Sequence, residues 1–276
     1  MNIGKFIKLF IPPIAINLLR KIKSITSQYG WHGDYPSWDE AKKHSTGYED
    51  DKILQKVKDG LLKVKKGEAA YERDGVLFDK IEYSWPLLSG ILLAASINKG
   101  QLSVLDFGGS LGSTYFQNRK FLNLLQNVSW NIIEQPHFVR EGQLHFQDER
   151  LHFYFYEDIE TCIKTEKPDV LLLSSVLCYL EKPYEILENL LSYNFPFVII
   201  DRTPLHKKGY DRITIQRVPP WIYKTSYPCW ILDKQKLLLF FQKRNYQVIE
   251  EFDALDGKIG NIQWKGLIFY RLGKVK

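Results

Sequence analysis

The sequence predicts an α/β fold: a doubly wound, mostly parallel sheet of seven strands, preceded by a helical amino-terminal extension. Three observations predict it. First, Val170-Leu171-Leu172-Leu173 and Phe197-Val198-Ile199-Ile200 are continuous apolar runs of strand length, as found in parallel strands covered on both faces. Second, Leu102 to Gly112 reads as a buried strand that enters a glycine-rich turn and then a helix, with glycines where the backbone must turn tightly or admit a ligand. Third, strand-like and helix-like segments alternate from about residue 101 to 272, the pattern of a wound parallel sheet.

The elements follow in order. Ser37-Trp38-Asp39-Glu40 starts a helix, with Ser37 as cap and Glu40 at the third position of a capping box. Asp50 to Lys66 carries Ile53, Leu54, Val57, Leu61 and Leu62 at helical spacing. Tyr83 to Ile97 forms a further helix, so the chain to about Asn98 reads as helical. A strand ends at Asp106-Phe107, a helix covers about Ser113 to Leu125, and a second strand runs from Trp130 to Glu134. Leu151 to Tyr156, Pro168 to Ser175 and Phe197 to Asp201 are the next three strands, and Tyr246 to Phe252 and Gln263 to Arg271 are the last two. This divides the chain into an extension over residues 1–98 and an α/β domain over 99–276.

The 276 residues can bury a large core, and 45% hydrophobic content with 14% aromatics describes a globular chain. The cysteines, Cys162, Cys178 and Cys229, are widely spaced and odd in number, which predicts a reducing, cytoplasmic compartment and no disulfide framework. The histidines show no H-x-x-H or H-E-x-x-H spacing, so no metal is expected. The net charge of +6 is uneven: Lys5, Lys8, Arg20, Lys21 and Lys23 precede the first acid, Asp34. Between these cations lies an apolar stretch broken by Pro12-Pro13, too short to span a bilayer and unlike a secretory signal. Residues 1–24 can lie in a membrane interface, at the inner face of the membrane, or pack on protein. No basic stripe with interleaved aromatics continues beyond this arm, so nucleic-acid binding is not expected.

The glycine turn excludes two nucleotide motifs. Ser110 and Ser113 fall where G-x-G-x-x-G needs its second and third glycines, and no G-K-[ST] follows. The spacing Asp106-x-Gly108-x-Ser110-x-Gly112 instead resembles the first motif of class I S-adenosylmethionine (SAM) methyltransferases, with serine for the middle glycine. Acids stand in series at the strand ends that follow. Glu134, beside Gln135, can accept from ribose hydroxyls, and Glu157 or Asp158 can accept from an adenine amino group. Each acid has a structural alternative, since carboxylates after strands commonly cap helices.

Further segments carry a wider resemblance. Gly33 to Ala41, Gly47-Tyr48, Gly67 to Asp74, Ser174 to Leu180, Asp201 to Leu205, Gln216 to Tyr223 and Ser226 to Trp230 are together similar to a group of bacterial methyltransferases encoded among surface-polysaccharide genes. The resemblance covers about residues 33 to 255. It implies a Rossmann-like class I methyltransferase with SAM as cofactor and a carbohydrate or lipid-linked glycan as acceptor. The cofactor would meet Asp106, Gly108, Gly109, Ser110, Gly112, Glu134, Gln135, Glu157, Asp158, Ser174 and Ser175. A hydroxyl acceptor needs a general base, and the segment after the fifth strand offers His206, better matched to neutral pH, and Asp201. Arg202 suits an acidic acceptor or a structural ion pair, and Trp221, Tyr223, Tyr227 and Trp230 suit stacking on sugar rings or packing under a proline-rich loop. Two other classes stay open: a nucleotide-dependent oxidoreductase, against which the failed glycine spacing counts, and a catalytically silent partner in a glycan-assembly complex.

Overall fold

A computed structural model describes residues 28–47, 50–220, 222 and 224–273. The basic arm of residues 1–24 and the two aromatics Trp221 and Tyr223 lie outside the described residues.

The strands that the apolar runs predict form the centre of the molecule. These are β4 (Gln101–Phe107), β5 (Asn127–Ile133), β6 (Phe153–Tyr156), β7 (Val170–Ser174) and β8 (Phe197–His206). They pair in parallel in the order β6-β5-β4-β7-β8. The order extends through β12 (Ile262–Arg271), antiparallel to β8, to β11 (Tyr246–Ile259). This is the expected seven-stranded, mostly parallel sheet.

Helices cover both faces, because the central strands are apolar on both. On one face α2 (Asp50–Lys66), α3 (Trp85–Ile97), α4 (Ser113–Leu122) and α5 (Pro136–His145) pack their buried residues on Val104, Trp130, Ile132, Leu172 and Ile199. On the other, α6 (Ile159–Thr165), α7 (Pro183–Ser192) and α8 (Lys234–Gln242) pack on Leu105, Leu171, Leu173, Val198 and Ile200. Alternate residues of one strand thus feed two cores, the period-2 rule of strands. Of the predicted α2 stripe, Ile53, Leu54, Val57 and Leu61 are buried in the first core and Leu62 packs partly buried against it.

The structure departs from the sequence expectation in two places. The amino-terminal third is not purely helical. Besides α1 (Trp38–Lys43) it contributes β1 (Gly30–Tyr35) and a hairpin of β2 (Tyr71–Arg73) and β3 (Val76–Phe78). Ser37 does cap α1, accepting from the Glu40 N–H at 3.2 Å, but the Glu40 carboxylate turns to Lys43 at 2.7 Å rather than back to the cap. The second departure lies between β8 and α8. There β9 (Arg212–Arg217) and β10 (Ser226–Asp233) form an antiparallel extension with β1, raising the main sheet to ten strands among the described residues. β8 serves two partners. It pairs with β7 as far as Ser174 opposite Asp201, and then with β10 at Leu205 and His206.

Chain order reverses at β4. It connects through α4 to β5 on one side, while β7, its other neighbour, leads to β8. The crevice outside the carboxyl ends of β4 and β7 is therefore a topological switch point, where open α/β sheets bind ligands.

Candidate functional site

The glycine turn sits at that switch point. The Gly108 N–H donates to the Ile133 carbonyl at 2.9 Å, which keeps the turn in register with β5. Gly108 has φ +70°, and a β-carbon there would lie 2.4 Å from Val176 Cγ2. Gly112, the N-cap of α4, has φ +98°, and its β-carbon would meet Phe153 Cζ at 2.4 Å. Both positions therefore demand glycine. Ser110, where the motif has its middle glycine, also adopts a left-handed φ of 54°, a conformation open to a side chain at a cost of about 1 kcal/mol.

The turn is tied to the next strand end. The Ser110 N–H donates to Glu134 Oε1 at 3.2 Å, and the Gln135 N–H donates to Oε2 at 2.8 Å. The carboxylate expected to hold a ribose is thus oriented by backbone donors beside the glycine turn. Gln135 itself is exposed. Glu157 follows Tyr156, which pairs with Ile133, so Glu134 and Glu157 stand on neighbouring strand ends. Asp158 is used otherwise. It caps α6, accepting from the Thr161 N–H at 2.7 Å and the Thr161 hydroxyl at 2.9 Å. The cap, rather than an adenine contact, is the role its geometry displays.

Asp106 is buried against the turn. It is 1% exposed, and a β-carbon on Gly109 would fall 2.5 Å from its Cγ. Its Oδ2 accepts from Trp130 Nε1–H at 3.1 Å, while Oδ1 has no partner among the described residues. Burial, with the nearby Glu134 charge adding to it, pushes this carboxyl up to about 7. Asp106 is a strut that supports the turn.

Ser174, Ser175 and Asp201 meet where β7 and β8 reach the same edge. The Ser175 N–H donates to the Asp201 carbonyl at 3.0 Å, and Ser174 stands directly opposite Asp201 in the strand pairing. The Asp201 carboxyl is buried, its Oδ1 lacks a partner among the described residues, and burial raises it to about 6.

The other expected acceptor groups are placed differently. His206 is the last residue of β8, beyond the left-handed Arg202 and at the level where β8 pairs with β10. It is 3% exposed, and its Nε2–H is committed to the Tyr210 carbonyl at 2.8 Å. Its position corrects the expectation of a base at the crevice. The Arg202 guanidinium is held by Asp256 at 2.9 and 3.2 Å and by Asp74 at 2.7 Å, the structural alternative rather than an open anion site. Trp230 donates its Nε1–H to the Leu180 carbonyl at 3.0 Å and stacks on Trp38 at 6.0 Å, so its face packs on protein and not on a sugar. Tyr227 is buried with its ring edge-on to Tyr179 at 5.4 Å. Tyr179, to which the sequence alone assigned no role, is an exposed aromatic at this edge, with its hydroxyl on Gln216 Oε1 at 2.9 Å.

Glu72 was also missed. It is fully buried on β2, where it accepts from the Gly75 N–H at 2.6 Å and from the hydroxyl of Ser113, the first residue after the glycine turn. Burial is the largest influence on it and pushes its carboxyl up to about 7. A raised carboxyl binds its proton more tightly folded than unfolded, so its contribution to stability is present at low pH. That contribution is lost as pH rises from the unfolded value near 4.5 to about 7. Glu72→Gln is therefore expected to flatten the pH dependence, gaining on the order of 3 kcal/mol on wild type between pH 5 and pH 8. Urea unfolding at both pH values checks it, and parallel curves for the two proteins would refute the burial argument.

Among the described residues no cluster of His, Cys, Asp and Glu could hold a metal ion, and no helix is long and apolar enough to cross a membrane. The cysteines Cys162, Cys178 and Cys229 are free and buried.

No family model matches the sequence, and no curated protein is significantly similar to it. Solved structures are similar in chain path. The N-terminal domain of EvdMO1, solved in the presence of SAH and D-fucose, is 14% identical, with 82% of this chain and 98% of that one covered and a TM-score of 0.47. The Burkholderia thailandensis 1,6-didemethyltoxoflavin-N1-methyltransferase, with bound 1,6-didemethyltoxoflavin and S-adenosylhomocysteine, is 11% identical, with 90% and 98% covered and a TM-score of 0.45. The glycopeptide N-methyltransferase MtfA, complexed with sinefungin, is 9% identical, with 67% and 86% covered and a TM-score of 0.45.

Proposed function

We propose that this chain is a SAM-dependent methyltransferase that methylates a hydroxyl of a sugar in a surface glycan or its lipid-linked precursor. The observation that carries the reading is the glycine turn joined through the Ser110 N–H to Glu134 at the switch point of the sheet. The residues fit the cofactor. Glycines stand at Gly108 and Gly112, where β-carbons would collide with Val176 and Phe153, and a carboxylate fixed on the neighbouring strand end suits a ribose diol. Gly109 and Ser110 complete the turn, and Glu157, after the adjacent strand, would accept from an adenine amino group.

SAM, when bound, supplies a methyl group on a positively charged sulfur. The protein's task is to align an acceptor oxygen with it and exclude water. Ser174 and Ser175 border the acceptor side of the crevice, and Asp201 takes the proton from the attacking hydroxyl. Its raised carboxyl, near 6, is better matched to neutral pH than an ordinary aspartate. The partly exposed ring of Tyr179 would offer apolar surface to a sugar. The basic, apolar arm of residues 1–24 would bring the enzyme to an anionic membrane carrying a lipid-linked acceptor, on the cytoplasmic side.

The test is transfer of isotopically labelled methyl from SAM to lipid-linked and free glycan precursors, followed by mass spectrometry of the products. The reading expects the label on a sugar oxygen. Label found only on nitrogen or carbon acceptors would refute O-methylation and leave the cofactor assignment standing.

A further inference from the structure

The β2–β3 hairpin is tied at two points to opposite sides of the crevice. Glu72 accepts from Ser113, at the start of α4 just after the glycine turn. Asp74, at the hairpin tip, pairs with Arg202 at 2.7 Å, one residue past the level at which β8 leaves β7. β4, which leads into Ser113, and β8 are separated by β7. A hairpin held at both places therefore crosses the carboxyl end of β7, above the switch point.

The tie at the tip is built for the purpose. Asp74 and Gly75 have φ of 53° and 76°, the left-handed pair of a tight two-residue hairpin turn. Arg202 has a left-handed φ of 51°, unusual for a side-chain-bearing residue. That backbone projects its guanidinium, 17% exposed, between Asp74 and Asp256. Asp256 takes the Nε–H and one Nη2–H and fixes the guanidinium plane, and the second Nη2–H reaches Asp74 on the hairpin. The far side of the hairpin is also fixed, with Glu72 and Leu77 packed on α2 around Gly60.

We infer that the hairpin is a clasped cover over the crevice and that Arg202 is the positioning residue that holds it shut through Asp74. Closure sequesters whatever occupies the glycine turn, and release of the Asp74 clasp opens it while the Glu72 attachment serves as the hinge. Arg202 acts through Asp74 and need not touch a ligand. In combination with the methyltransferase reading, the clasp governs entry and exit of the cofactor.

Hydrogen exchange of the full chain without ligand tests the clasp independently of the cofactor reading. Asp74→Asn removes the charge and keeps a residue that tolerates the left-handed turn. It is expected to speed exchange about tenfold over residues 71–78 and also over the crevice floor, residues 108–112 and 175–179, with β5 and β12 unchanged. Arg202→Gln should match it, and Arg202→Lys should restore part of the protection. Faster exchange at the hairpin with an unchanged floor would overturn the cover, and an unchanged hairpin would overturn the clasp. A second arm follows dissociation of S-adenosylhomocysteine by stopped flow, expected about tenfold faster in Asp74→Asn. Failure of wild type to bind that probe would count against the cofactor reading, while the exchange arm would still decide the cover.

Discussion

Glu134→Ala is expected to weaken SAM binding by roughly thirty- to a thousand-fold. The carboxylate is already oriented by the Ser110 and Gln135 N–H groups, so little ordering cost remains when it accepts from two ribose hydroxyls. Each hydrogen bond to a charged group contributes about 1.5–3 kcal/mol as an upper guide, and two partly additive bonds give about 2–4 kcal/mol. The substitution also frees the Ser110 N–H, which loosens the glycine turn and adds to the loss. Calorimetry on the folded variant checks this, with circular dichroism to confirm folding. Unchanged affinity would remove Glu134 from the cofactor site.

Asp201→Asn is expected to lower turnover by roughly 10²–10⁴-fold while SAM affinity stays near wild type, the range of a lost general base. Asparagine keeps the size but cannot take a proton. The wild-type rate should fall as pH drops through about 6, the value to which burial raises this carboxyl, and the variant should lack that limb. A variant with the wild-type rate and the same acid limb would assign proton removal to another group or to water. His206→Ala, by contrast, touches a ring bonded to the Tyr210 carbonyl, and its effect should fall on stability rather than on the pH profile.

The central sheet was legible because its strands are buried on both faces. Val170 to Leu173 and Phe197 to Ile200 leave no polar residue to suggest any other element. The glycine turn was legible because Gly108 and Gly112 sit where a β-carbon would strike a neighbour, so the motif records a steric requirement. The sheet extension was harder. Arg212-Ile213-Thr214-Ile215-Gln216 alternates as a strand should, yet Gly30 to Tyr35, its edge partner, mixes two glycines with aromatics and has no apolar alternation. Asp74-Gly75 is itself a strong hairpin signal, and reading it would have exposed β2 and β3. The clasp could not be read at all. Arg202 meets partners 128 and 54 residues away in sequence, and nothing local to Asp74, Arg202 or Asp256 announces that they converge. Local pattern likewise favoured His206 as the base over Asp201, because ordinary titration values are visible in a sequence and burial is not.

The central claim is that the glycine turn and Glu134 form a SAM site. Calorimetric titration of the full chain with S-adenosylhomocysteine, and in parallel with NAD(H) and NADP(H), tests it most directly. The account predicts saturable binding of S-adenosylhomocysteine at one molecule per chain and no heat with the nicotinamide cofactors. Binding of a nicotinamide cofactor, with none of S-adenosylhomocysteine up to millimolar concentration, would contradict it.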